Sequence, residues 1–259
     1  MNANGILLIL AIFLFGIDPF FSQLGEKKEK FPILFGLQAR ILQPSEFLGP
    51  STSTLLDGGF SSSLNQKTGF SYGALIRADY TKSISLEVGL NYIQRQFNAQ
   101  MNYTDSVTSI SDSNKLTFIN YEIPLKGIVK IQMGQKLFAT AGLGPSFSYK
   151  PTNVALIDQP GGPHTFYHSG TVKKFGIDLN AQIGFEFRTR KSGIYYIGGA
   201  VKVPTSYLFN WGGKYSKQNS SQYFIDFTKV NGAFLTVDLR YYLPKIKNSG
   251  LQFIKGPIE

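Results

Sequence analysis

From Lys174 to Arg188 the chain reads KFGIDLNAQIGFEFR, and its apolar residues occupy alternate positions without a break. Phe175, Ile177, Leu179, Ala181, Ile183, Phe185 and Phe187 form one row. Lys174, Gly176, Asp178, Asn180, Gln182, Gly184, Glu186 and Arg188 form the other. A helix repeats near every 3.6 residues and cannot keep such a split, whereas a strand sends successive side chains to opposite faces. Half-buried strands of soluble proteins run about 5–6 residues. Crossing a bilayer takes roughly 9–11 at a tilt, with apolar side chains toward lipid and polar ones toward the lumen. The stretch is therefore expected to be a membrane-crossing β-strand, and the remaining sequence must supply its neighbours.

Seven further segments carry the same alternation, and the eight strands are placed at about 31–42, 70–80, 84–97, 116–130, 136–149, 174–188, 194–207 and 232–242. The first sets Ile33, Phe35, Leu37, Ala39 and Ile41 against Gly36, Gln38 and Arg40; the last sets Ala233, Leu235, Val237, Leu239 and Tyr241 against Thr236, Asp238 and Arg240. The connections alternate long and short. Polar, Ser/Gly/Pro-rich loops are expected at 43–69, 98–115, 151–172 and 208–229, and tight turns at Thr81–Ser83, Met133–Gly134 and Thr189–Gly193. Outer-membrane barrels show this asymmetry, with long loops outside the cell and short turns in the periplasm. Closure is expected because an open sheet edge in lipid leaves backbone groups unpaired at several kcal/mol each. Pro124 and Pro145 fall inside strands and cannot donate to a ladder, so the ladder should break locally at each.

The mean hydropathy of -0.06 would suit a soluble chain, but a barrel averages its two faces. The 22 Phe and 14 Tyr are concentrated near strand ends. Phe70, Tyr72, Tyr92, Phe97, Phe118, Tyr121, Phe147, Tyr149, Phe175 and Tyr207 are expected in one outward girdle at the long-loop end. Phe35, Tyr80, Phe185, Phe187, Tyr195 and Tyr241 are expected in a second girdle at the other. Aromatic rings favour both membrane–water boundaries.

An eight-stranded barrel has a bore just wide enough to be filled by side chains. The inward charges are expected to be Arg40, Arg77, Asp79, Glu87, Arg95, Glu122, Lys126, Lys130, Asp178, Glu186, Arg188, Lys202, Asp238 and Arg240, forming a salt-bridged, hydrated plug. An ion or small-solute path is the functional alternative, for which such a bore is too narrow. The basic residues behind the formal net charge of +10 are scattered, which argues against a nucleic-acid partner.

Chemistry-bearing residues are few. Cysteine is absent, which excludes disulfides and thiolate chemistry. The two histidines, His164 and His168, lie in the Pro/Gly-rich third long loop without an obvious third ligand, so neither a metal nor any other cofactor is expected. No strand carries a histidine to serve a lipid-hydrolysing nucleophile, and no enzyme activity is expected. Trp211, Tyr215 and Tyr223 in the fourth long loop are candidates for gripping a sugar or a protein; alternatively they pack over the barrel mouth.

Residues 1–22 are expected to be a cleavable signal peptide, with the apolar run Ile6–Ile17 closed by Asp18 and Pro19 and cleavage near Ser22 or Gln23. Met1–Gly5 lacks the usual Lys or Arg, and a retained anchor is the alternative. The barrel domain then covers 23–243, with 244–259 a periplasmic tail.

Several segments resemble the PorT-like outer-membrane β-barrel family of Bacteroidota: GFSYGALIRADYTKSISLEVGLNY (69–92), Tyr121–Leu125, AGLGPSFSY (141–149) and LRYY (239–242). The resemblance implies the cell outer membrane and the barrel fold rather than an activity. It also brings in a role within a type IX-like secretion and gliding machine, since some members belong to one. Barrels of this kind usually end on the last strand's aromatic residue, whereas this chain continues past Pro244. The reading is thus an all-β, eight-stranded antiparallel up-and-down transmembrane β-barrel. Outer-membrane lipid and other envelope proteins are its expected partners, and it acts through surface loops or periplasmic ends. A soluble, lipocalin-like ligand-binding barrel is the alternative, and it requires the opposite faces.

Overall fold

The computed structural model describes residues 33–107, 109–158, 164–189, 191–217 and 224–244. The expected signal peptide, Tyr223 and the tail beyond Pro244 lie outside the described residues. Apart from one 3-10 turn at Glu46–Leu48, the described residues are all-β, with thirteen strands in antiparallel pairings. They are β1 (Ile33–Pro44), β2 (Thr52–Asp57), β3 (Phe60–Asp79), β4 (Ile84–Thr104), β5 (Ser109–Gln132), β6 (Leu137–Tyr149) and β7 (Val154–Asp158). Then follow β8 (His164–Val172), β9 (Phe175–Arg188), β10 (Ile194–Pro204), β11 (Phe209–Lys217), β12 (Phe224–Val230) and β13 (Phe234–Tyr242). The main sheet is a ring: pairing runs β1-β13-β10-β9-β6-β5-β4-β3, and β1 also pairs with β3. Strand β2 pairs with the upper part of β3, and β7, β8, β11 and β12 form a second sheet.

The parity expected for the longest alternating run holds. On β9 the row from Phe175 to Phe187 is exposed, and Asp178, Asn180, Gln182 and Glu186 are buried inside the ring. The same division runs through β1, where Ile33, Phe35, Leu37 and Ile41 face out while Gln38 and Arg40 are buried. A one-residue slip would send every one of these side chains to the wrong face.

The short turns at the lower end are held locally. Thr81 Oγ1 accepts from Ser83 N at 3.2 Å and from Ile84 N at 2.8 Å. Thr189 Oγ1 accepts from Ser192 N at 3.0 Å, and Gly193 closes that turn at φ 84°, a left-handed conformation that a side chain resists. A Cβ on Gly193 would also lie 2.2 Å from the Tyr242 carbonyl oxygen.

Both prolines interrupt ladders as expected. The β4–β5 pairing skips between Val88↔Leu125 and Asn91↔Glu122, across Pro124. The β5–β6 pairing skips between Pro124↔Ser146 and Gly127↔Leu143, across Pro145. The register is the same on either side of each gap, so these are missing rungs rather than bulges. The ring's register shift lies elsewhere, between Lys67 and Phe70 where β3 pairs with β4.

The four expected long loops need correction. The first, 43–69, contains β2 and the first ten residues of β3; 98–115 is the meeting of β4 and β5; 151–172 holds β7 and β8; 208–229 holds β11 and β12. The alternation persists there with its polarity inverted. On β4 the outward row passes from Ile84, Val88, Leu90 and Tyr92 to Gln94, Gln96, Asn98 and Gln100, while the inward row passes from Ser85, Glu87 and Asn91 to Ile93, Phe97, Ala99 and Met101. β3 and β5 reverse in the same way, with Leu64 and Phe118 inward against Asn65 and Thr117 outward. Polar outward residues rich in Ser, Asn and Gln read as loop because turn-forming residue types dominate them. In fact they form the polar outer side of a β-extension above the ring.

Candidate functional site: a charged bore under an apolar cap

Two layers fill the interior, and strand parity places both. The lower is the ring's ionic network. Arg77 on β3 and Glu87 on β4 are direct cross-strand partners, as are Glu87 and Lys126 on β5. Glu87 is fully buried and is the hub: its carboxylate accepts from Arg77 at 3.1 Å and Arg240 at 3.0 Å, lies 3.0 Å from Lys126 Nζ, and accepts from the Tyr242 hydroxyl. Glu186 takes Arg77 and, at 2.9 Å, Arg188. Asp238 holds Arg240 at 2.7 Å, Lys130 holds Asp79 at 2.8 Å, and Lys202 bridges Glu122 at 2.6 Å and Asp178 at 2.8 Å. Rings complete the packing: the Arg77 guanidinium stacks 4.0 Å over Tyr242, and Arg240 4.5 Å over Tyr196. Tyr196 itself lies across Gly184 and Gly198, where an added Cβ would come within 2.6 Å and 2.2 Å of its hydroxyl.

Every charge assigned inward from the sequence therefore lies on the inner face. Asp79 and Arg188 are half-buried at the lower rim, while Arg40, Arg77, Glu87, Glu122, Lys126, Asp178, Glu186, Lys202, Asp238 and Arg240 are buried. Removing charges from water is costly unless each is paired and hydrogen-bonded. The shared carboxylates supply most of that compensation. Tyr196, Tyr242 and Lys150 are buried members that the charge inventory missed; parity on β10, β13 and β6 marks them as inward.

The upper layer is apolar. Leu55, Leu64, Phe97, Leu116 and Phe118 from the first sheet pack against Phe209, Trp211 and Val230 from the second. Above them Phe60, Met101, Tyr103, Phe166 and Tyr215 form a further cluster. The Tyr103 and Tyr215 rings stack at 4.2 Å, and Phe209 meets Phe97 at 5.7 Å and Phe118 at 5.5 Å. Burial, then the neighbouring Tyr103 and Asp105, raise the Tyr215 phenol above its ordinary pKa.

The fold decides between readings for two of these aromatics and moves other residues inward. Trp211 and Tyr215, candidates either for gripping a ligand or for packing over the barrel mouth, are 0% and 1% exposed and are core residues of the extension. Trp211, Gly213 and Tyr215 share one face of β11, alternating with Gly212 and Lys214. Phe97 and Phe118, expected in the outer girdle, point inward into the same core. Other outward aromatics keep their places: Tyr72, Tyr92 and Tyr121 adjoin across β3, β4 and β5 at 4.9 Å and 5.9 Å. Tyr149 meets Phe175 at 5.2 Å, and Tyr195 meets Tyr241 at 5.1 Å at the lower end. Ala233, expected outward, precedes β13 and is buried.

His164 and His168 lie on strand β8 rather than in a loop.

Trp211 is the chain's one tryptophan, so its burial has a direct readout. Its emission is expected to be blue-shifted in the folded protein and weakly quenched by acrylamide, then to shift red and become quenchable on denaturation. A red, freely quenched emission in the folded state would place Trp211 in water.

No protein-family model matches the chain, and no curated protein does. Among solved structures it is similar to the beta domain of the Bordetella autotransporter Brka, at 8% identity over 80% of this chain and 99% of that one, with a TM-score of 0.19. At that score the two backbones do not superpose usefully, and the barrel description rests on this chain's own strand pairings.

Proposed function

We propose that this chain is a non-enzymatic integral outer-membrane β-barrel: the eight strands of the ring span the bilayer, and the β-extension projects from it as the face that meets other envelope components. One observation carries the reading. Around the ring the exposed row is apolar and the enclosed row is charged, and this order reverses where the strands pass into the extension. Water outside the ring would leave Ile177, Leu179, Ile183, Val237 and Leu239 solvated in one contiguous belt, far beyond the apolar patches of ordinary soluble surfaces. Lipid outside the ring removes that cost, and the reversal then marks the membrane boundary. A soluble lipocalin-like barrel needs an apolar interior throughout, which only the extension has.

The ionic hub and the apolar cap leave the bore filled from both sides, which favours a closed scaffold over a solute path. The test is cell fractionation combined with gel mobility before and after boiling. The expected result is recovery with the outer membrane and a folded form that migrates faster until heated. A protein found in the soluble fraction, with mobility unchanged by heat, would sink the proposal.

A further inference from the structure

The bore's charges do not balance where the two layers meet. Lys202 ion-pairs with both carboxylates of the upper bore, Glu122 and Asp178, so two negative charges there stand against the four cations Lys202, Arg40, Arg95 and Lys150. Arg40, Arg95 and Lys150 are each at least nine-tenths buried, and none forms an ion pair with a described residue. A buried cation without a counter-charge is strongly unfavourable. Arg95 has partial compensation, donating to the Gly232 carbonyl oxygen at 2.6 Å and lying 4.5 Å over the Phe234 ring, but its Nε has no partner.

Around Lys150 the unpartnered groups converge. Tyr121↔Tyr149 is the last rung between β5 and β6, so Asn120 and Lys150 come next beyond it on adjoining strands. Both side-chain polar atoms of buried Asn120 lack a hydrogen bond, as does the Ser148 hydroxyl. Gly176, the cross-strand partner of Ser148, lets both side chains lie close over its Cα: a Cβ there would stand 3.0 Å from Ser148 Oγ and 3.3 Å from Lys150 Nζ. Arg95 on β4 stands diagonally across from Asn120, whose direct cross-strand partner is Ile93. On β5 buried Asn120 lies between Glu122 of the ion-pair network and Phe118 of the apolar cap, and on β4 Arg95 stands next to Phe97 on the inward row. Two cations, an amide and a hydroxyl are thus brought as donors to one buried layer.

We propose that this layer holds one small oxyanion of the phosphate class, bound by Arg95, Lys150, Asn120 and Ser148 and enclosed as the barrel folds. The inference uses the interior alone and stands whether or not the belt meets lipid.

The test refolds the full chain in lipid-free detergent with radiolabelled inorganic phosphate, followed by gel filtration. About one phosphate per folded chain should be retained, and the heat-induced mobility change should move to higher temperature than in chloride of equal ionic strength. Lys150→Met and Arg95→Met, singly and together, should lose the retained label and the thermal gain. In chloride the Lys150→Met protein should be at least as heat-stable as the unaltered chain, because an unpaired buried charge has gone; a merely structural lysine would give the opposite sign. Refolding in phosphatidylglycerol vesicles without free phosphate should give no comparable gain, which separates a free ion from a lipid headgroup. The proposal is overturned if the folded chain retains no phosphate, if the double variant retains as much as the unaltered chain, or if the lipid alone reproduces the gain.

Discussion

Replacing Ile183 by arginine is expected to cost about 2–4 kcal/mol of folding stability in a bilayer, the range for a basic residue at the lipid-facing midplane. Ile183 lies midway along β9 and is 70% exposed. Its cross-strand neighbours are Ala141 on β6 and Gly199 on β10. Neither offers a long apolar surface along which the guanidinium could be carried to the headgroups. The matched control is Gln100→Arg, on the outward row of β4 within the extension. There the new charge meets water, and a change within about 0.5 kcal/mol is expected. Urea unfolding of each variant in lipid vesicles measures both. The comparison also separates the two environments proposed for the outer surface. In a soluble barrel Ile183→Arg would exchange an exposed isoleucine for a solvated charge, and its midpoint would match that of Gln100→Arg. Equal midpoints would therefore remove the membrane from the account.

How far the sequence alone leads depends on the strength of the alternation. From Phe175 to Phe187 every outward residue is apolar, so face and register follow directly. The pairing of Arg77 with Glu87 is nearly as legible, because the two stand five residues either side of Lys82 in a tight turn. The proline gaps follow from one missing donor each. What stays hidden is the extension. Between Phe60 and Lys67 the sequence FSSSLNQK still alternates, but its outward residues are Ser and Asn and its inward ones include Ser62 and Gln66, so the contrast is slight. The bulge at Lys67–Phe70 adds a second obstacle, since it moves the inward set from even to odd numbers within one strand. Trp211 and Tyr215 are left between two readings for a related reason. In a glycine-rich setting a large aromatic suits an exposed anchor as well as a covered one, and only the pairing of β11 with β8 and β12 puts both in the core. The surplus of positive charge in the upper bore is legible only in part, because cations can be counted from the sequence but their partners cannot.

Glu87→Gln is expected to be the most damaging single change in the bore. Glutamine keeps the shape but removes the counter-charge shared by Arg77, Lys126 and Arg240, and its amide turns two donor hydrogens toward groups that are themselves donors. Removing one partner from a buried ionic cluster costs roughly 3–5 kcal/mol, because the others stay charged and desolvated. That is a large share of a typical stability of about 5–15 kcal/mol. The temperature of the heat-induced mobility change should fall accordingly, with the folded form less abundant after refolding. A second substitution tests the cause. If the loss comes from uncompensated positive charge, Lys126→Met in the Glu87→Gln protein should recover part of it, although Lys126→Met alone should be destabilising in the unaltered chain, where Lys126 also donates to Gln182 at 2.8 Å. Double-mutant cycles isolate such a coupling when the residues touch. Additive losses from the two changes would mean that Glu87 acts through packing rather than through charge, and the bore would then be held by shape alone.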